Sequence, residues 1–251
     1  MLFKSNFVAT LLALVIVGAC GQTPTVMPLV PPTFEEKLSW ILRLENERIL
    51  RDESELLYEE ADSEFSPAAA ESVVNARELP DLISLLSDPE PQLRRRAAMA
   101  IGRVGLTDGV QPLITALSDQ EVEVRQMSAF ALGLLGDSSA TEPLKSALFD
   151  PMPVVRGRAA EALGRIGDET AAGPIGELVG SYLPAAYDLE PDDLSYPLSP
   201  EVEALRLGLY ALASLGDYET LASTVLQENG QPIIWWWPIA YALQRSGDPR
   251  A

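Results

Sequence analysis

The sequence predicts an all-α chain, an α-solenoid of stacked two-helix units of period 31, preceded by an amphipathic helix. Three observations carry that prediction. From residue 86 the chain repeats itself in phase: Leu86, Leu117 and Leu148; Asp88, Asp119 and Asp150; Arg94, Arg125 and Arg156; Gly102, Gly133 and Gly164; Gly105, Gly136 and Gly167; Pro112, Pro143 and Pro174. Inside each unit an Ala-rich run (94–104, 125–135, 156–166) ends at a Gly, the residue that closes a helix C-terminus. A second, shorter run begins near Asp108, Ser138 or Glu169, with apolar residues such as Val110, Leu113 and Leu117 at three- and four-residue steps. A unit of this size cannot bury its own apolar face, so it must stack on its neighbours. The alanines at 97, 98, 100, 129, 131, 159, 160 and 162 suit close helix approach.

Along the chain, residues 1–19 read as a lipoprotein signal peptide. Lys4 precedes an apolar run at 7–19 broken only by Thr10 and Gly18. That run falls short of the roughly 20 residues a membrane-spanning helix needs. Val17-Gly18-Ala19-Cys20 resembles the lipobox of bacterial lipoproteins; the other reading is an ordinary secretory signal whose small residues happen to precede a Cys. The resemblance implies cleavage before Cys20, acyl chains such as palmitate on that residue, and a place in the bacterial cell envelope facing the periplasm or exterior. Gly21 follows where Asp would mark retention in the inner membrane under the enterobacterial rule. Residues 20–33, with four prolines and no charge, read as the lipidated Cys and an extended tether.

Residues 34–78 read as an amphipathic helix and an acidic linker. Phe34, Leu38, Ile41, Leu42 and Ile49 recur at helical spacing over 34–51, and Thr33 with Glu36 forms a capping-box pattern. This helix is expected to cover the end of the repeat domain behind it. Asp52, Glu53, Glu55, Glu59, Glu60, Asp62 and Glu64 follow without a base and read as a solvated run, since the order of a calcium loop is missing.

The repeat domain spans 79–251. Ala211-Leu212 to Gly216-Asp217 repeats Ala162-Leu163 to Gly167-Asp168 after 49 residues, so about 18 residues are inserted near 181–200. That proline-rich, acidic segment is either a loop that touches a partner or a decoration. Gly247-Asp248 comes another 31 residues on, and 232–246 is expected to be the last first-position helix. Trp235, Trp236 and Trp237 cannot all face one way on it. The pattern leaves the final unit incomplete at Ala251, which predicts that the protein continues or that its end is capped by pairing.

Composition bounds the chemistry. With no His and one Cys there is no imidazole base, no Cys-His or Ser-His nucleophile and no His or thiolate metal site, so neither catalytic residues, metal nor cofactor is expected. A net charge of −19 works against nucleic acid as the main partner.

The stretch Asp150-Pro151, Val155-Arg156, Ala159-Ala160, Ala162-Leu163-Gly164, Ile166-Gly167-Asp168 resembles the HEAT-like repeat first described in phycobilisome lyases. The resemblance, over about 79–251, is specific for fold and says little about activity; such repeats serve many proteins as a scaffold, and a scaffold that binds other proteins, not an enzyme, is expected here. It also implies a structural ladder in which Asp88, Arg94, Asp119, Arg125, Asp150 and Arg156 tie neighbouring loops together. Periodicity puts Gln111, Ile114, Thr115, Glu142, Lys145, Ser146 and Glu177 between the core positions of the second helices, which are expected to line the concave surface and contact a protein partner. Alternatives remain. Residues 35–51 and 236–245 resemble HEAT proteins that continue into a cyclophilin-like peptidyl-prolyl isomerase domain, which would make this chain the scaffold part of a longer enzyme. A bilin lyase is suggested by the repeat family but sits poorly with export. Deoxyhypusine hydroxylase, also HEAT-built, needs His ligands that the chain lacks.

Overall fold

The computed structural model describes residues 31–52, 79–193 and 197–250, together with the backbone of two short strands. The strands, β1 (Ala13–Leu14) and β2 (Met27–Pro28), pair antiparallel. Cys20, the rest of residues 1–30, the acidic run beyond Asp52 and residue 251 lie outside the described residues, and so do the segment boundaries drawn there.

The first helix, α1 (Phe34–Glu47), begins with the capping box read from the sequence. The Thr33 backbone N–H donates to Glu36 Oε2 at 2.7 Å, and the Glu36 N–H donates to Thr33 Oγ1 at 3.3 Å. The helix ends earlier than its apolar spacing predicts, at Glu47 rather than near 51. Arg48 turns into the left-handed region (φ 60°) and donates its N–H back to Leu44 and Glu45, which stops the helix. Residues 50–52 then run beside 80–82, with Leu82 N–H on Leu50 O at 2.8 Å and Arg51 on Asp81 at 2.5 Å. As expected, α1 covers the end of the repeats: Ile41 and Leu44 are buried, and Arg103 reaches back to Glu45 at 2.8 Å.

Behind it, two-helix units follow in order: a 3₁₀ turn (Ser84–Ser87) and α2 (Pro91–Val104); α3 (Val110–Ala116) and α4 (Val122–Leu135); α5 (Thr141–Ala147) and α6 (Pro153–Ile166). Next come α7 (Ala172–Tyr182), α8 (Pro200–Leu215), α9 (Tyr218–Val225) and α10 (Trp237–Arg245). The long helices α1, α2, α4, α6, α8 and α10 stack as one layer, and the shorter ones pack against it as a second. A single apolar core runs through the stack.

Two devices repeat. Gly105, Gly136, Gly167 and Gly216 end the long helices at positive φ, and Asp137, Asp168 and Asp217 then accept backbone N–H groups at 2.8–2.9 Å to start the next turn. The phase-marking Gly102, Gly133 and Gly164 have a different job. A Cβ on any of them would sit 2.7–2.8 Å from the Cα of Ala131, Ala162 or Ala211 on the next long helix, so these glycines set the spacing between successive long helices.

Those contacts also locate the insertion. Partners are 29 residues apart at the first two interfaces and 47 at the third, an 18-residue excess that matches the sequence phase. The inserted stretch folds onto the body: Leu183 and Ala186 are buried, and Leu189 and Leu198 pack on the core. Trp237 N–H and Nε1–H hold the carbonyls of Pro191 and Asp193 at 2.9 and 3.3 Å. The last helix departs from expectation, starting at Trp237 instead of 232. Pro238, which has no N–H, is accommodated in the first turn, whereas residues 226–232 close a hairpin-like turn through the Leu226–Pro232 bridge. The three tryptophans separate as anticipated: Trp236 is 3% exposed, Trp235 64% and Trp237 38%.

Candidate protein-binding surfaces

The ladder residues come together in register. Arg94 Nε donates to Asp119 Oδ2 at 2.7 Å and its Nη2 to Oδ1 at 2.9 Å, while Nη1 holds the Asp88 carbonyl of its own unit. Arg125 repeats this on Asp150 at 2.7 and 3.1 Å, with Nη1 on the Asp119 carbonyl. Each guanidinium thus bridges its own loop to the next. The fork drives the Asp119 carboxyl below its ordinary range, chiefly through the Arg94 hydrogen bonds, and raises Arg94 and Arg125 by the same pairing.

Both ends of the ladder depart from the pattern. At the front, Lys37 of α1 holds Asp88 Oδ2 at 2.7 Å, taking the place of the Arg that a preceding repeat would supply. At the back, Arg156 makes only half of the link. It donates to the Asp150 carbonyl, but the equivalent of the next Asp is Ser199, which caps α8 instead. Arg156 lies 6.0 Å from the Tyr182 ring centroid in its stead. Its assignment as a ladder residue linking two loops is therefore corrected, and the cause is the insertion.

The second-helix residues differ in exposure, and Ile114 packs against the core. Gln111, Thr115, Glu142, Ser146 and Glu177 are exposed, and Ile114 and Lys145 half-buried. Gln111 and Thr115, with Pro112, Ile83 and Leu86, line a shallow groove of about 610 Å³. Lys145 is less free than its spacing suggests, because Nζ binds Glu142 Oε1 at 2.9 Å and Thr170 Oγ1 of the next unit at 2.6 Å.

The sequence reading missed the opposite face, formed by the outer sides of the long helices. Arg95, Arg96, Arg103, Arg158, Arg165, Arg206 and Arg245 lie there among Glu123, Glu161 and Glu203, a concentration of cations in a chain with only 18 Lys and Arg. Arg158 and Arg165 flank the Phe130 ring at 5.4 and 5.6 Å, and Arg206 lies 5.4 Å from the Tyr210 centroid. Glu161, Arg165, Tyr210, Ser214, Trp237, Tyr241 and Arg245 line a groove of about 490 Å³. The signal was present as a column: Met99, Phe130, Glu161, Tyr210 and Tyr241 occupy one repeat position, and Arg103, Leu134, Arg165, Ser214 and Arg245 the position four residues on. The residue type changes at every step, so a search for repeated residues passes over it.

Among the described residues no group of His, Cys, Asp and Glu is placed to hold a metal ion, and no helix is long and apolar enough to cross a membrane.

HEAT repeats are matched at residues 79–151 and 110–181. No curated protein matches by sequence. Among solved structures, the complex of CpcE and CpcF of phycocyanin lyase from Nostoc is similar at 25% identity and TM-score 0.54, over 74% of this chain and 68% of that one. Human deoxyhypusine hydroxylase aligns at 22% identity and TM-score 0.41, over 67% and 62%. An engineered protein aligns at 17% and 0.46, over 84% and 94%. The stretch 79–181 is thus built of HEAT repeats, and the described body is an α-solenoid.

Proposed function

We propose that this protein is a scaffold for other proteins, tethered to a membrane of the bacterial envelope by a lipid on Cys20 and facing the periplasm or exterior. The observation that carries the scaffold reading is the stack itself: the core, the glycines between successive long helices and the Asp–Arg ladder hold the repeats in register. Side chains on both layers are left unspent on packing. The likeness to a chain solved in the complex of CpcE and CpcF supports binding to another protein. The lipid anchor rests on the Val17–Cys20 lipobox pattern.

Substituting Gln111, Thr115, Glu142 and Lys145 together by Ala should abolish partner capture from solubilised membranes while the helical circular dichroism stays intact. Unchanged capture removes the second-helix face from the account. Cys20→Ser should release the protein from membranes, and persistent association contradicts the anchor.

The same likeness favours a second reading, a lyase-like protein. Incubation with phycocyanobilin and apo-phycocyanin tests it, since covalent attachment leaves a chromophore that survives denaturation. A third reading makes these residues the scaffold part of a longer enzyme such as a HEAT-repeat peptidyl-prolyl isomerase. The intact mass of the native protein decides it.

A further inference from the structure

We propose that the groove across α6, α8 and α10 docks an acidic peptide segment with interspersed aromatic or aliphatic side chains, presented by the partner protein. This rests on the scaffold reading and adds the face and the chemistry. The floor is aromatic. Tyr210 and Tyr241 meet at 5.4 Å and 72°, and Trp237 and Tyr241 at 6.4 Å and 71°, an edge-to-face series that leaves Tyr241 46% exposed. Such rings bury apolar side chains at low entropic cost, having few torsions to fix.

The rim is cationic. Glu161 is shared between Arg158 at 2.7 Å and Arg165 at 2.9 Å, so one carboxylate answers two guanidinium groups. Arg245 lies one repeat beyond Ser214 in the same column and lines the groove opposite them. The local balance is therefore positive in a molecule of net charge −19. Guanidinium groups pair carboxylates with two parallel hydrogen bonds, which favours acidic side chains at fixed spacing along the groove. At physiological ionic strength the Debye length is about 8 Å, so the acidity of the rest of the surface is screened at the groove and does not repel such a segment. A nucleic acid carries continuous charge and needs a longer run of cations than this rim offers.

The test uses the full chain in detergent and a fluorescein-labelled dodecapeptide of repeated Glu-Tyr-Glu-Leu, read by anisotropy. Saturable binding is expected. Arg165→Gln with Arg245→Gln should weaken it at least about tenfold, the scale of losing one charge-assisted pair. Tyr241→Ala should also weaken it, whereas Glu228→Gln, at an exposed position outside both faces, should leave it unchanged; circular dichroism confirms that each variant is folded. The proposal is overturned by no saturable binding to the wild-type chain or by equal binding to the Arg variant. It is also overturned by loss in the Glu228 variant, or by tighter binding of an oligothymidylate. Partner capture from membranes that survives the Arg165/Arg245 substitutions removes the groove but leaves the scaffold; absence of capture by the wild-type chain removes the scaffold itself.

Discussion

Leu106 occupies the position where later units carry Asp137 and Asp168. Its backbone (φ −92°, ψ 137°) is close to that of Asp137 (−81°, 126°), yet it offers no acceptor to the turn that follows, and it is 43% exposed. Leu106→Asn should therefore stabilise the protein by about 1 kcal/mol, the usual worth of an N-cap. Denaturant unfolding measures it, and a loss would contradict the capping argument. Gly133 sets two effects against each other. Helix propensity favours Gly133→Ala by about 1 kcal/mol. The added Cβ, however, would lie 2.8 Å from the Ala162 backbone, which cannot swing aside as a side-chain tip could. Overpacking of that kind costs about 1–3 kcal/mol, so the net effect should be a lower melting temperature. A rise would mean that neighbouring long helices move apart readily. The sequence marked Gly133 by its recurrence, but recurrence alone did not distinguish a helix stop from a packing contact.

At the scale of elements, the Asp–Arg ladder is the part whose energetics depend on pH. The Asp119 carboxyl is held low by Arg94, so its contribution is fully present above the ordinary carboxylate range and is lost as pH falls through the depressed value. Asp119→Asn should cost on the order of 3 kcal/mol near neutrality, because it leaves the half-buried Arg94 fork without its charge. The gap between wild type and variant should narrow below about pH 4. A gap that stays constant from pH 7 to pH 3 would contradict this. The helices themselves were legible because Gly, Asp and Arg recur where geometry demands one residue type. Arg156 was misread because its partner lies beyond the insertion, and one sequence shows where phase is lost but not which contact goes with it. The start of α10 was misread for a different reason: the repeat phase places it near 232, but Pro238 is tolerated only in a first turn.

At the scale of the molecule, fold and register could be read from the repeat, but only one of the two faces could. The second-helix positions followed from periodicity, whereas the column from Met99 to Tyr241 forms one surface only once the long helices stack. Stacking also explains how a chain of net charge −19 gathers cations on one side, since Arg103, Arg165 and Arg245 recur at every second unit of one column. Peptide mass analysis of protein extracted from its source membranes should find an acylated Cys20 as the N-terminus, and an N-terminus at Met1 would contradict the lipid anchor. The central claim, that these surfaces bind another protein, is tested most directly by benzoylphenylalanine placed at Thr115 and at Tyr241 of the full chain. Each substituted protein is irradiated in native membranes, with Glu228 as an exposed control position. The account predicts a discrete protein adduct from at least one of the two faces and none from the control. Adducts from neither face, in a protein that is folded and membrane-bound, would contradict it.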